Sequence, residues 1–412
     1  MKLAYFSPMP PERSGIADYS ALVVPALRER MEVDVVRRGR KRGGRGADVA
    51  LYHVGNNPES HGWIVQALRR RPGLVVLHDF VLHHLVSGMT LGRGNAGAYL
   101  DAMEREAGVV GRLLAHGVIE HRIPPLWESR AQDFALAGEV LSFATGLVVH
   151  SHYVERCARE AGYEGPISVV PHPAWPIPAL QRESVAGDPL FGCFGNVNAS
   201  KRIPQLLEAF ARVRRTHPEA RLLLVGATSP GFDLERRLQR LGLESEGIMR
   251  EGYVDESRLW SLMAACDAIV ALREPTMGET SGSAIRALSL GKPLVVSDIG
   301  WFSELPDDVA LKVPVDETER DVLTAALELL ARDPAARAAM SQSALETTRR
   351  EHGLERVADG YTSAIELAAG GGAVREAVLR EVAARAAEVG IDADAADTVE
   401  LARRLREVGL GD

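Results

Sequence analysis

Short apolar runs rich in β-branched residues recur along the chain, bounded by turn residues, with segments of helical spacing between most of them. The first run is Lys2–Phe6, followed by a turn-rich loop from Ser7 to Gly15 and a helical pattern from Ala17 to about Arg30. Val33–Val36, Val49–Val54, Leu74–Leu77, Leu147–His150 and Ile167–Val170 continue the series. The stretch from Leu85 to Ala144 lacks such runs and reads as helices laid beside the first sheet. Five prolines between Pro171 and Pro189 leave no periodicity and mark a linker. The alternation resumes with Leu190–Phe194, Arg221–Val225, Gly247–Arg250, Ala268–Ala271, Pro293–Val296 and Ala310–Val313.

Strands alternating with helices imply parallel sheets joined by crossovers. The pattern therefore predicts two α/β domains, 1–175 and 188–350. A helix over 351–369 is expected to cross back to the first domain. Gly370-Gly371-Gly372 is expected to break the chain there, and 373–412 reads as a helical hairpin turning at Gly390 and Asp392.

The length of 412 residues fits two such cores, and 46% apolar with 25% charged residues is the balance of a soluble globular protein. No apolar stretch reaches the roughly 20 residues that cross a bilayer. Prolines at Pro8 and Pro10 interrupt any signal-type start, and three scattered cysteines give neither zinc spacing nor a disulfide framework. A cytoplasmic location is the expectation. A net charge of −8 argues against a nucleic-acid partner. Two basic runs, Arg37-Arg38-Gly39-Arg40-Lys41-Arg42 and Arg69-Arg70-Arg71, are solvated loops or a means of peripheral contact with an anionic membrane surface.

Open parallel sheets bind ligands at the carboxyl ends of their strands, so the loops there carry the chemistry. After the fourth strand of the second half comes Arg273-Glu274-Pro275-Thr276-Met277-Gly278-Glu279-Thr280-Ser281-Gly282, then a helix over Ser283–Leu290. Thr280 or Ser281 caps that helix, and its free N–H groups suit a diphosphate. Glu279 at its mouth either accepts from sugar hydroxyls or complements the helix dipole. The earlier loop Gly195-Asn196-Val197-Asn198-Ala199-Ser200-Lys201-Arg202 is capped by Asn198 or Ser200. It puts two cations at a helix start, where an anion would balance them. In the first half, Ser14-Gly15 opens a helix, Asn56 and Asn57 follow the third strand with His61 beyond, and His78-Asp79 ends the fourth. A histidine directly after a buried strand reaches the cleft, and His78 is the one selected for a functional role.

Together these loops resemble family 4 glycosyltransferases of the two-Rossmann-domain (GT-B) kind, over nearly the whole chain to about Leu367. The resemblance rests on Ser14-Gly15-Ile16-Ala17-Asp18-Tyr19-Ser20, on Tyr52-His53-Val54-Gly55-Asn56-Asn57-Pro58 and on Val75–His84. Val148-Val149-His150-Ser151, Val169-Val170-Pro171-His172-Pro173, Gly252-Tyr253-Val254 and the Gly-Glu-Thr-Ser loop, which is similar to that of one bacterial subgroup, extend it. It implies two domains facing across a cleft and a retaining, metal-independent transfer of a hexose from a nucleoside diphosphate sugar. The acceptor would be a glycan, lipid or small molecule.

The resemblance assigns Glu279 and His78 to the reaction centre. It assigns Gly15, Asn196, Lys201, Arg202, Tyr253, Val254, Thr280, Ser281, Gly282 and Arg286 to the donor. Tyr19, Asn56, Asn57 and His61 fall to the acceptor side. Two departures stand out. Arg286 occupies the position of a ribose-holding glutamate, which also puts Glu279 one residue out of register. Asn196 replaces a phosphate-binding arginine, whose charge Arg286 or Arg202 would supply.

No cofactor or metal is expected, since the sole Asp-x-Asp, Asp392-Ala393-Asp394, falls in the C-terminal hairpin as a helix cap. Gly92-Arg93-Gly94-Asn95-Ala96-Gly97 spells a dinucleotide fingerprint without the preceding strand it needs. An epimerase would need further cleft carboxylates, and a pyridoxal-dependent phosphorylase would need a better lysine than Lys201 or Lys292. A silent nucleotide-sugar-binding scaffold is the reading from another class.

Overall fold

The computed structural model describes residues 1–388 and 403–404, apart from 13, 40–42, 181–182, 184 and 244–246. Strands β1 (Lys2–Phe6), β2 (Glu32–Val36), β3 (Val49–Val54), β4 (Gly73–Leu77), β5 (Ala144–Val149) and β6 (Ile167–Val169) form one sheet, ordered β2-β1-β3-β4-β5-β6. A second sheet contains β7 (Leu190–Phe194), β8 (Arg221–Val225), β9 (Ile248–Glu251), β10 (Ala268–Ala271), β11 (Leu294–Ser297) and β12 (Ala310–Val313). Its order is β12-β11-β10-β7-β8-β9, and every pairing in both sheets is parallel. These are the strands the apolar runs predict, with ends shifted by no more than three residues. The reason is burial on both faces. β3 and β4 are buried at every position, so a central parallel strand is written as an unbroken apolar run.

Each sheet reverses its direction of growth once, between β1 and β3 in the first and between β7 and β10 in the second. The crevices opened there are the seats for ligands in open α/β sheets.

Helix α1 (Gly15–Arg28) is capped by Ser14, whose Oγ accepts the Ile16 N–H at 3.3 Å, and α2 (Pro58–Arg70) by Asn57, whose Oδ1 accepts those of Glu59 and Ser60 at 2.8 and 3.0 Å. The glycine-rich segment 92–97 is a 3₁₀ turn running into α3 (Ala96–Ile119), with Asn95 as its cap. No strand feeds it, which disposes of the dinucleotide fingerprint. In the second domain α4 (Ile203–Thr216) and α5 (Gly282–Ser289) follow β7 and β10.

Helix α6 (Leu354–Glu388) leaves the second domain and lies on the first sheet. Val357, Tyr361, Ala364 and Ile365 are buried there with Leu3, Tyr5, Tyr19 and Val23. Tyr361 Oη and Tyr19 Oη are hydrogen-bonded at 2.7 Å, and Arg30 holds Glu355 and Asp359 at 2.6 and 2.8 Å. The break expected at Gly370–Gly372 is corrected: α6 runs through it. Glycine costs a helix roughly 1 kcal/mol per residue but does not forbid it, and the preceding turns are fixed by packing. The hairpin expected over 373–412, with its Asp392 and Asp394, lies for the most part outside the described residues.

The second basic run is structural. Arg69 pairs with Glu139 at 2.6 Å, and Arg71 donates to the carbonyls of Gly44 and Ala47 at 2.9 and 2.6 Å. Of the first run, Arg37 and Arg38 are exposed, while 40–42 lie outside the described residues. Among the described residues no helix is long and apolar enough to cross a membrane.

Tyr361→Ala is expected to lower stability by about 3–5 kcal/mol, as for other fully buried aromatics cut to alanine. Tyr361→Phe, which loses only a hydroxyl contact, should cost about 1 kcal/mol. Urea unfolding of both variants checks this, and equal small losses would mean that α6 is not needed to complete the first core.

Candidate functional site

Between the two sheets lies a cavity of about 300 Å³. The first domain lines it with the loops after five strands, placing Gly15, Tyr19, Asn56, Asn57, His61, His78, Asp79, His150 and His172 on one side. Trp175 of the linker and Glu279, Thr280, Gly282 and Arg286 of the second domain face them. Ten residues assigned from sequence thus meet in one place. Asn196, Lys201, Arg202, Tyr253, Val254 and Ser281 are not among the lining residues.

The domains touch through backbone. The carbonyl of Met277 accepts the N–H groups of Phe80 and Val81 at 2.8 and 3.0 Å. Gly278 makes that approach feasible: its φ is +82°, and a Cβ there would lie 2.7 Å from Phe80 Cβ. Glu279 then points back, accepting from Met277 N at 2.7 Å and pairing with Arg273 at 2.9 Å. Across from it Asp79 accepts the Asn56 N–H at 2.8 Å. Burial, and secondarily the charge of Glu279, pushes the Asp79 carboxyl up to about 7.

Behind this contact sits a nest of imidazoles. His53 Nδ1 and His78 Nε2 are 2.9 Å apart, and the ring of Tyr19 meets those of His78 and His172 edge-on at 4.9 Å. Burial is the leading cause that drives His53, His61, His78, His150 and His172 below the usual imidazole range, His61 and His150 to about 4. All five are therefore neutral at pH 7. Asn57 Oδ1 caps α2 and Tyr19 Oη is bonded to Tyr361.

On the second domain, Ser281 rather than Thr280 caps α5, accepting the Ala284 N–H at 3.3 Å, and the Thr280 hydroxyl is buried without a partner. Arg286 lies flat on Trp175, 3.8 Å from the ring centroid, and reaches Glu256 at 3.4 Å.

The loop after β7 differs from expectation. α4 begins at Ile203, so Lys201 and Arg202 precede it, and neither Asn198 nor Ser200 caps it. Asn198 Oδ1 instead accepts from Ser200 Oγ and Lys201 N, both at 3.0 Å. The Arg202 guanidinium is paired with the buried carboxylate of Glu319, with Nε to Oε1 at 2.8 Å. Lys201 Nζ folds back onto the Phe194 carbonyl at 2.6 Å. Burial and the neighbouring Arg273 lower its pKa to about 8. Asn196 is exposed, and so is Tyr253, at 78%.

Arg273 was not singled out from the sequence. It stands between Lys201 and Glu279, with a buried Nε that has no partner. Two cations thus share the Glu279 carboxylate, with the raised Asp79 carboxyl also acting on Arg273, an arrangement that leaves room for a further anion. The signal available was its place at the carboxyl end of β10, six residues before Glu279. Asp79, Trp175, His150 and His172 were likewise given no role. Among the described residues no group of three His, Cys, Asp or Glu is arranged to hold a metal ion.

Residues 180–347 match the family described as Glycosyl transferases group 1. Glycogen synthase of Mycobacterium tuberculosis is 28% identical over 199 residues, 47% of this chain and 46% of the relative. The chain thus spans about half the length of the curated relatives it matches. Among solved structures, sucrose-phosphate synthase from Thermosynechococcus elongatus superimposes with a TM-score of 0.62 at 16% identity, covering 88% of this chain and 98% of that one. HepE of Anabaena, solved in complex with UDP and glucose, gives 0.57 at 16% identity and the same coverages. These likenesses establish the fold, two Rossmann-like sheets facing across a cleft as in GT-B glycosyltransferases.

Two substitutions separate framework from site. Arg202→Ala leaves Glu319 buried and unpaired and should cost about 3 kcal/mol of stability, read by urea unfolding. Asp79 retains a proton in the folded state between about pH 4 and 7, where the unfolded chain has lost it, so its contribution falls as pH rises through that window. Asp79→Asn should therefore match the parent at pH 4 and exceed it at pH 8 by on the order of 2 kcal/mol. The neutral histidines lose stability toward acid in both proteins and cancel in the comparison. A variant less stable at pH 8 would overturn the raised carboxyl.

Proposed function

We propose that the protein is a glycosyltransferase that moves a hexosyl group from a nucleoside diphosphate sugar to an acceptor hydroxyl, retaining the anomeric configuration and using no metal ion. The observation that carries this reading is the room for a further anion at Lys201, Arg273 and the start of α5. It lies beside a cavity whose far wall is made of neutral imidazoles, asparagines and the raised carboxyl of Asp79. The group 1 domain over residues 180–347 supports it independently.

In this reading the diphosphate lies between α5 and the loop after β7. Lys201, Arg273 and the N–H groups that open α5 oppose the charge developing on it as the sugar leaves. The unpartnered Thr280 hydroxyl gives a further donor. The acceptor oxygen forms its bond to the anomeric carbon on the face from which the diphosphate departs. The anomeric C–O bond to phosphate breaks, and the acceptor proton passes to the departing phosphate oxygen. Glu279, held rigid by Arg273 and the Met277 N–H, orients the sugar hydroxyls, and His78 hydrogen-bonds at the reaction centre. The missing phosphate arginine is supplied by Arg273 rather than by Arg202. Arg286, stacked on Trp175, takes the ribose end in place of a carboxylate.

Thermal unfolding against nucleoside diphosphates and their sugars, with UDP and UDP-glucose first and EDTA throughout, tests the reading. A ligand of the folded state raises the melting temperature. Lys201→Ala and Arg273→Ala are each expected to weaken the responding nucleotide about tenfold or more. Affinity should also fall between pH 7 and 9, because the anion prefers Lys201 protonated and that group titrates at about 8. No response to any nucleotide would sink the donor site and favour a silent scaffold. A shift abolished by EDTA would sink the metal-free mechanism alone.

A further inference from the structure

Three imidazoles on the first-domain wall of the cavity are tied to backbone carbonyls. His61 Nδ1 lies 3.1 Å from the oxygen of His53, His150 Nδ1 2.8 Å from that of Val170, and His172 Nδ1 2.8 Å from that of Pro173. A carbonyl oxygen only accepts, so in each case the hydrogen is on Nδ1. Burial keeps all three rings neutral. A neutral imidazole with its hydrogen on Nδ1 has a bare lone pair on Nε2 and nothing to donate there. His150 Nε2 is buried with no protein partner. Three such lone pairs, on α2 and just after β5 and β6, thus belong to residues that line one cavity.

The remaining charge on the wall has the same sense. Asp79 and Glu279 bring carboxyl oxygens to the cavity. Arg286 is the sole Lys or Arg among the lining residues, and its plane is covered by Trp175. Its edge is met by the Gly282 carbonyl and by Glu256, each at 3.4 Å, with the charge of Asp18 also acting on it.

We propose that this wall selects an uncharged, hydroxyl-rich acceptor, a sugar or other polyol, whose O–H groups donate to the Nε2 atoms of His61, His150 and His172. The proposal rests on the transferase reading and deepens it. A phosphate or carboxylate carries only acceptor oxygens at neutral pH and would meet lone pairs head-on. Accommodating it would require protonating imidazoles that burial holds neutral, and an unmade hydrogen bond to a desolvated group is costly. A hydroxyl satisfies each nitrogen without moving a proton.

Two measurements test this. Long-range ¹H–¹⁵N NMR of the histidine-labelled protein at pH 7, assigned with His61→Gln, His150→Gln and His172→Gln, reads the tautomers directly and needs no ligand. Nδ1–H on all three is expected, and Nε2–H or imidazolium on His150 or His172 overturns the proposal. Then, with UDP at saturation, calorimetric titrations compare glucose with glucose 6-phosphate and with glucuronate. Glucose is expected to bind at least fivefold more tightly than either anion. Equal or tighter binding of an anion, or no binding of glucose at 50-fold excess over protein, rejects it. UDP affinity is measured first and alone, so failure of the donor site is seen separately from failure of the wall.

Discussion

The site depends on one carbonyl oxygen. Met277 O accepts the N–H groups of Phe80 and Val81, and through those two bonds the loop after β10 is laid against the loop after β4. Gly278 permits the approach because its backbone is left-handed and it has no side chain to collide with Phe80. Once the loops are joined, Glu279 and Asp79 confront each other across the cleft, and burial, with the charge of Glu279 second, pushes the carboxyl of Asp79 up. Backbone bonds are suited to this task, since they fix the loop's position without depending on side-chain rotamers.

Charge is divided between the domains by burial. The first contributes rings that are neutral because they are enclosed, and α6 is part of the enclosure: Tyr361 lies beside His53, with ring centroids 6.2 Å apart, and bonds to Tyr19. The second contributes cations, of which Lys201 and Arg273 share the Glu279 carboxylate. A ligand spanning the cleft would be anionic at one end and hydroxyl-bearing at the other, the chemistry of a nucleotide sugar meeting its acceptor. The helix that packs against the histidine nest comes from beyond the second domain, so that wall of the cavity is backed by a segment distant in the chain.

Among the described residues the strands were legible from the chain alone, most plainly the central ones, because parallel strands buried on both faces are continuous apolar runs. It also pointed to most of the loops that line the cavity, because the carboxyl ends of those strands open toward the crevice. Partnerships over long separations needed the tertiary structure. Arg202, read from the chain as a phosphate ligand, is paired with Glu319, 117 residues on. Arg273 stood out only when the fold set it beside Lys201 and Glu279. Asn57 caps α2 and Tyr19 is bonded to Tyr361, and the three glycines after Ala369 stayed helical. Local pattern reports which face of an element is buried. Which charge meets which, and which polar group is already occupied, is decided when distant segments share one volume and each buried group must find a partner.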